Sequence, residues 1–188
     1  MTSNFCVVLP EEIVEDMWRT HVSAKDFDQE LGFALCDVNG KILRGSICEG
    51  DECRIPGEKI EFCLVGKTIG FFHSHIDSEP VPSLQDLEYG YSTGIRFECI
   101  AGLGDWDEEI VCYDLSVAKD ELERIDKILD EIENIRDKYG IRSPMDILSM
   151  GFERYLKYKE EVEPLEHELD RVYERALEKL IAEGSCEI

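Results

Sequence analysis

The chain has 188 residues, of which 43% are hydrophobic and 34% are charged, and it is long enough for one compact domain and an appendage. Acidic residues outnumber basic residues by 43 to 20, and the formal net charge of −23 argues against nucleic acid or an anionic membrane as a partner. No basic segment precedes the short apolar run at the N-terminus, and no apolar stretch approaches the thickness of a bilayer. We therefore expect a cytoplasmic protein that has no membrane partner.

Eight cysteines are present, and five of them lie in apolar, strand-like runs. These five are Cys6, Cys36, Cys63, Cys99 and Cys112. Because a thiol in an apolar run behaves as a small buried hydrophobic group, we expect them to be reduced, as is usual inside the cell. Cys48 and Cys53 flank an acidic loop, where a local disulfide and half of a second metal site both remain open, although no C-x-x-C spacing supports the metal site.

The N-terminal part of the chain alternates predicted strands with two predicted helices. Strands are predicted over residues 4–9, 30–36, 41–48, 59–64, 68–73, 95–102 and 109–115, and helices over residues 11–21 and 83–91. The dipeptide Asn39-Gly40 favours a type I′ turn between two of these strands. Strands interleaved with two helices indicate an α+β fold, or a three-layer α/β core, in a first domain over residues 1–115.

A second domain is predicted over residues 116–188, where apolar residues recur with the 3.6-residue period of an amphipathic helix. Gly140 ends the first helix of this extension, and Ser143-Pro144 begins the second. Pro164 is expected to kink that helix or to begin a third segment, because proline lacks the N–H and crowds the preceding turn. We predict an acidic helical hairpin or three-helix bundle, through which two copies can form a homodimer.

Two histidines one residue apart, His73 and His75, follow an apolar strand, and Asp86 lies on the next predicted helix. Residues i and i+2 of a strand point to the same side, so both imidazoles can reach one point, and the carboxylate of Asp86 can supply a third ligand. Three protein ligands leave a fourth position for water, which is typical of a catalytic zinc site.

Such a site predicts hydrolytic chemistry. Bound Zn²⁺ lowers the pKa of its water from about 15.7 to about 7 and polarises a substrate carbonyl. Peptide hydrolysis also needs a general base, which takes a proton from the water and later gives it to the leaving amine. A hydroxyl donor near the developing oxyanion adds further stabilisation of the transition state.

The residues around the two histidines resemble the motif of the JAMM, or MPN-plus, zinc metalloproteases. That motif has a glutamate well upstream, then His-Ser-His, seven residues, a serine, two residues and an aspartate. This chain has His73-Ser74-His75, seven residues, Ser83, two residues and Asp86. The resemblance covers roughly residues 4–115 and implies a cytidine-deaminase-like core with a mixed sheet. The chain departs from the pattern at Ile76, where the family usually has proline.

The resemblance also implies the role of each site residue. The zinc ligands are His73, His75 and Asp86, and Ser83 stabilises the oxyanion. The general base is Glu30, which leads directly into the first long strand. The acids further upstream lie on the first predicted helix, where acidic side chains near the N-terminus already have a structural explanation.

The activity implied by the resemblance is that of an isopeptidase or C-terminal processing enzyme. Its substrates are ubiquitin-like or sulfur-carrier proteins, whose flexible Gly-Gly tail can enter a narrow metal groove because glycine lets the backbone approach closely. Two other functions stay open. One is a non-catalytic MPN-type scaffold that assembles through its helical extension, and the other is a zinc amidohydrolase that acts on small substrates.

Two of the motifs also have structural readings. Ser83 and Asp86 have the spacing of a helix capping box, and this role is compatible with the chemical roles, because the helix start would fix both side chains in place. Trp106 lies in a turn rich in glycine and aspartate. We expect it to pack against the end of the hairpin, with contact to substrate as the alternative.

Overall fold

The computed structural model describes residues 7–49 and 63–188. In chain order, its helices and strands are α1 (Glu11–Phe27), β1 (Leu31–Val38), β2 (Lys41–Glu49), β3 (Lys67–Ser74), α2 (Leu84–Thr93), β4 (Phe97–Leu103), β5 (Glu108–Asp114), α3 (Lys119–Lys138), α4 (Pro144–Ser149), α5 (Phe152–Lys179) and β6 (Ser185–Glu187). Contacts divide the chain into two compact units. One comprises Met1–Val117 with Lys179–Ile188, and the other, here called the helical unit, comprises Ala118–Glu178.

The first unit is built around one mixed sheet of six strands in the order β2-β1-β3-β4-β5-β6. Among the strands of residues 7–49 and 63–188, only β3 and β4 run parallel, and the other neighbouring strands are antiparallel. This arrangement confirms the α+β prediction. The edge strand β6 was not predicted, because its three residues follow directly on the helical pattern of the extension. They pair with β5 and return the end of the chain to the first unit.

Local sequence accounts for the ends of the first elements. The turn between β1 and β2 has positive φ angles at both Asn39 (56°) and Gly40 (84°), as the predicted type I′ turn requires. Helix α1 continues to Phe27 rather than ending near His21, and Asp28 then closes it in the left-handed conformation.

The hydrophobic core lies between α1 and the central strands. Ile13 and Met17 of α1 are buried together with Phe33 of β1 and Phe72 of β3. Every residue of β1 from Leu31 to Cys36 is buried, so both faces of this strand are covered. Full burial of a large apolar side chain contributes about 1.5–3 kcal/mol relative to leaving it exposed, which is sufficient to fix the register of the strands that carry the site.

The structure differs from the prediction at two of the predicted strands. Residues 7–9 are not part of a strand, although Val7 is buried in the core. Part of the strand predicted over residues 59–64 lies outside the described residues; of the rest, residue 63 is not in a strand and residues 64–66 form a bend.

The expectation of reduced cysteines is wrong for the four described members of that group. Cys36 is bonded to Cys63, and Cys99 is bonded to Cys112, which lies directly opposite it on β5. Periodicity within one strand cannot show that two cysteines face each other across neighbouring strands. Cys48 is also disulfide-bonded, whereas Cys53 lies outside the described residues, as does any local pairing between these two.

In the helical unit, α3 and α5 pack against each other in antiparallel orientation. The buried side chains of the two helices are Leu122, Ile125, Ile128 and Ile132 on α3 and Tyr158, Val162, Leu169, Val172 and Ala176 on α5. Two ion pairs, Arg124 with Glu168 and Lys138 with Glu161, fix the direction of the pairing.

Pro164 lies within α5 and does not end it, so of the two predicted outcomes, a kink or a third segment, the third segment is excluded. Its ring is exposed, and Glu160, whose carbonyl loses its helical partner at this proline, is exposed as well. Water can therefore satisfy that carbonyl, while Val162 and Leu169 on either side of the proline stay buried. None of the helices in the described ranges combines the length and the apolar character needed to cross a membrane.

Candidate metal centre

Strand β3 brings the two histidines together at its C-terminal end. The amide of His75 donates to the carbonyl of Ala101 at 2.7 Å, so the pairing with β4 continues one residue past the strand. The side chains of His73 and His75 leave the strand on the same side, and their Nε2 atoms lie 3.1 Å apart. Both residues are buried, with 9% and 8% of their surface exposed.

The start of α2 supplies the carboxylate. The Asp86 amide donates to Ser83 Oγ, and Asp86 Oδ2 accepts from the Ser83 amide at 2.7 Å, which completes the predicted capping box. The same Oδ2 atom lies 3.6 Å from His73 Nε2 and 3.9 Å from His75 Nε2. The helix cap therefore aims the carboxylate at the histidine pair.

The other ring nitrogen of each histidine is anchored. His73 Nδ1 lies 3.0 Å from Oε1 of Glu98, and His75 Nδ1 lies 2.8 Å from the carbonyl oxygen of Glu79. A carbonyl and an ionised carboxylate only accept hydrogen bonds, so both Nδ1 atoms carry a hydrogen. This tautomer leaves both Nε2 lone pairs for a metal, which is how outer partners usually orient ligating histidines.

The arrangement can hold a metal ion, because one ligand atom from each of His73, His75 and Asp86 lies within 4.8 Å of the others. A zinc ion at bond lengths of about 2.0–2.2 Å and tetrahedral angles separates its ligands by about 3.3 Å. The observed separations of 3.1, 3.6 and 3.9 Å are close to that value. Among residues 7–49 and 63–188, no second group of three such side chains meets the same criterion.

The charges in the site favour the binding of one proton between the two histidine Nε2 atoms, where a metal would otherwise bind. Burial lowers the pKa of His73, but hydrogen bonds and charge from Asp86 and Glu98 outweigh it and raise this pKa to about 10. Burial and the charge of His73 lower the pKa of His75. A protonated His73 can then donate from Nε2 to the Nε2 lone pair of His75. Metal binding must displace this proton, so metal affinity should rise with pH.

Glu30 immediately precedes β1 and is half-buried. Gly32 of β1 pairs with His73 of β3, and the backbone of Leu31 exchanges hydrogen bonds with the buried hydroxyl of Ser74 at 3.1 Å in each direction. Extending this antiparallel register places Glu30 opposite His75, and the charge of Glu30 acts to raise the pKa of His75. Glu30 therefore lies beside the site without belonging to the three-residue cluster.

Glu98 is the site residue that the sequence reasoning missed. It lies on β4, is only 3% exposed, and contacts a proposed ligand from a neighbouring strand. The available signal was a single carboxylate within the apolar run from Phe97 to Ala101, because a buried charge is costly without a partner. The contact of Glu98 with His73 depends on the parallel pairing of β3 with β4, and no short motif predicts that pairing.

The loop between His75 and Ser83 forms the border of the site and is held by the β4–β5 hairpin. The Leu103 amide donates to the carbonyl of Ser78 at 2.9 Å, and the Tyr113 hydroxyl donates to the carbonyl of Pro80 at 2.7 Å. Trp106, at the tip of this hairpin, is 99% exposed. The expectation that it packs against the hairpin end is therefore wrong.

Comparisons with models of known protein families and with curated protein sequences find no match for this chain.

Proposed function

We propose that this chain is a zinc metallopeptidase with a JAMM-type, cytidine-deaminase-like core. Its proposed substrates are ubiquitin-like or sulfur-carrier proteins, cleaved at peptide or isopeptide bonds of the C-terminal Gly-Gly tail. The observation that carries the proposal is the convergence of two Nε2 atoms and one Asp86 oxygen, with both Nδ1 atoms anchored behind them. The identical residue spacing of the JAMM motif supports the choice of reaction.

The proposed ligands are His73, His75 and Asp86, two imidazoles and one carboxylate, a ligand set that suits zinc. When bound there, zinc lowers the pKa of a coordinated water and polarises the scissile carbonyl. Glu98 and the Glu79 carbonyl hold the histidine rings in the orientation that this binding needs.

Glu30 is the proposed general base. It takes a proton from the attacking water and returns it to the leaving amine. Its position at the entry to β1, opposite His75 in the extended register, supports this role, as does its effect on the pKa of His75.

Ser83 is the proposed donor to the oxyanion. Its Oγ already accepts a hydrogen bond from the Asp86 amide at 3.2 Å. Because that bond uses an oxygen lone pair, the hydroxyl hydrogen is still able to donate. Loss of one such donor typically costs about 2.7–4 kcal/mol of transition-state stabilisation.

The Gly-Gly tail would lie extended beside the end of the sheet next to Glu30. Among the described strands, β2 pairs only with β1, and its last residue, Glu49, lies opposite Leu31. An extended peptide can add to such an edge through main-chain hydrogen bonds. Glycine at the cleaved end allows the backbone to approach the buried ligands.

The substitution Glu30→Gln tests the proposal. It should leave zinc binding near one ion per chain and lower hydrolysis of a Gly-Gly-linked ubiquitin-like conjugate by about 100-fold or more, as expected for loss of a general base. The control is Glu12→Gln on the exposed side of α1, which should retain both properties. Full activity in Glu30→Gln would contradict the assignment of the base. Hydrolysis of small amides alone would favour the zinc amidohydrolase.

A second role, assembly of two copies through the helical unit, is supported by its exposed apolar surface. Helix α4 buries none of its residues, and Leu148 of α4 and Phe152 of α5 are 77% and 74% exposed. Arg154 and Lys157 are exposed close by and can attract the acidic surface of a second copy. Light scattering should then show a dimer that Leu148→Glu with Phe152→Glu converts to a monomer. A monomeric parent chain would contradict this role.

A further inference from the structure

The turn between β4 and β5 exposes a tryptophan that the turn itself does not need. Gly104 donates to the Asp107 carbonyl at 2.8 Å, and the Asp107 side chain accepts from the Glu108 amide at 2.8 Å, so glycine and aspartate already close the turn. Trp106 is nevertheless 99% exposed, and Leu103, the last residue of β4 before the turn, is 52% exposed. A tryptophan can bury about 150–250 Å² in a contact, and none of that area is used within the described residues.

The hairpin is fixed to the border of the proposed metal centre. The Leu103 amide binds the Ser78 carbonyl, and one residue later along the same loop the Glu79 carbonyl accepts from His75 Nδ1. The contact is close, because a Cβ added at Gly102 would lie 2.5 Å from the Ser78 carbonyl oxygen and 2.8 Å from the Pro80 nitrogen. A molecule bound at the turn is therefore held beside the loop that orients one of the proposed ligands.

The surface around Trp106 is negatively charged. Asp105 and Asp107 are exposed on either side of it, whereas the next acid along the chain, Glu108, is paired with Lys25. Burial raises the pKa of half-buried Glu109, and the charges of Glu187 and Asp105 raise it further. An apolar side chain between acidic residues is complementary to an apolar patch bordered by lysine or arginine.

We propose that Leu103 and Trp106, together with Asp105 and Asp107, form a docking surface for the folded body of the protein whose tail is cleaved. This inference rests on the proposed function and adds the chemistry of the partner, a folded protein with a basic, apolar surface patch. A short peptide or a small amide would reach the metal centre without covering this turn. Contact with this turn would therefore distinguish a protein substrate from a small one.

The test compares two substrates that share one Gly-Gly tail, a ubiquitin-fold protein joined to a fluorescent amine and a short peptide joined to the same amine. For Trp106→Ala, the ratio of kcat/KM on the protein to kcat/KM on the peptide should fall by about 30-fold, the loss typical of removing an interface tryptophan. Trp106→Phe should recover most of the ratio. Phe27→Ala, another exposed aromatic side chain at 75%, serves as the matched control and should not change it. A wild-type ratio in Trp106→Ala would overturn the proposal.

A binding measurement keeps the inference testable if neither substrate is cleaved, in which case the proposed function fails by itself. The chain has two tryptophans, so in a Trp18→Phe background the selectively excited tryptophan emission reports only Trp106, provided that the added protein contains no tryptophan. Added ubiquitin-fold protein should shift the emission to shorter wavelength, and Asp105→Asn should weaken this binding and reduce its salt dependence. Emission that does not respond to the added protein would overturn the proposal. A shift produced by raising the concentration of the chain alone would also overturn it, because a second copy would then cover the turn.

Discussion

The proposed metal centre and the helical unit both depend on strictly spaced residues, but they bury opposite kinds of side chain. In the metal centre, the buried side chains are polar or charged, with His73 at 9%, His75 at 8%, Asp86 at 2% and Glu98 at 3% exposure. In Ala118–Glu178, all of which is described, no charged side chain is buried, and the buried residues are apolar or aromatic. Because burying charged groups costs free energy even when they are paired, the polar cluster is best explained by function and the apolar stripe by stability.

The largest expected effect is loss of the metal from Asp86→Ala. We expect zinc affinity to fall by more than 100-fold and hydrolysis to be lost, because the substitution removes one of three ligands. This loss of affinity should exceed the roughly 10–100-fold loss caused by removing an outer partner of a ligand. Isothermal titration with zinc measures the affinity. Asp77→Asn, an exposed acid in the adjacent loop, is the control and should bind zinc normally. Equal affinities in Asp86→Ala and the parent chain would show that the cluster does not hold the metal.

Next in size is a core substitution in the helical unit. Ile125 of α3 is fully buried, and Ile125→Ala should lower the free energy of unfolding of this unit by about 2–5 kcal/mol. Zinc stoichiometry should stay unchanged, because the proposed ligands all belong to the other unit. Urea denaturation followed by circular dichroism provides the measurement, and Leu156→Ala at a 45% exposed position should cost much less. Loss of bound zinc in the folded Ile125→Ala protein would contradict this division of roles.

Glu98→Gln should have a smaller effect, confined to the metal centre. The amide keeps an acceptor for His73 Nδ1 but removes the buried charge, so zinc affinity should fall by about 10-fold, at the lower end of the range for outer partners. Competition with a chelator measures this change. Glu109→Gln, a half-buried acid on the neighbouring strand, should behave like the parent chain. If both variants bind zinc equally well, Glu98 does not position the ligand.

The smallest effect concerns His21, a buried polar residue outside the metal centre. Burial and the charge of Lys25 lower the pKa of His21, whose Nε2 lies 3.5 Å from Glu108, itself paired with Lys25. The unfolded chain therefore binds more protons near the ordinary histidine pKa of about 6.5, and folding stability should decline as pH falls through this value. His21→Phe should make stability less dependent on pH between about 7 and 5 in urea titrations, and an unchanged dependence would contradict the prediction.

The site could be predicted from the sequence as far as its residues act through local spacing. His73 and His75 need only the alternation of a strand, and Ser83 and Asp86 need only the start of a helix. Glu98 could not be predicted, because its contact with His73 depends on the parallel pairing of β3 and β4. Contacts between strands distant in the sequence are set by the whole sheet.

The same limit applies to the fold. The hairpin at Asn39-Gly40 and the amphipathic helices follow from local patterns, and the structure contains them. The bond between Cys99 and Cys112 depends on the register of two strands. Strand β6 forms because the end of the chain pairs with β5, which no short sequence pattern predicts. The sequence indicates a turn at Trp106 and therefore favours packing of its ring against the end of the hairpin. Its exposure depends on which residues surround the turn, and the local sequence does not show this.

The most direct test of the proposed metal centre is anomalous diffraction from crystals grown with zinc, recorded on both sides of the zinc absorption edge. We predict a single strong peak about 2.0–2.2 Å from His73 Nε2, His75 Nε2 and Asp86 Oδ2. The peak should be absent from crystals of Asp86→Ala. Zinc bound only at other side chains, or no peak between these three atoms, would contradict the assignment of the metal centre and the hydrolytic function proposed for it.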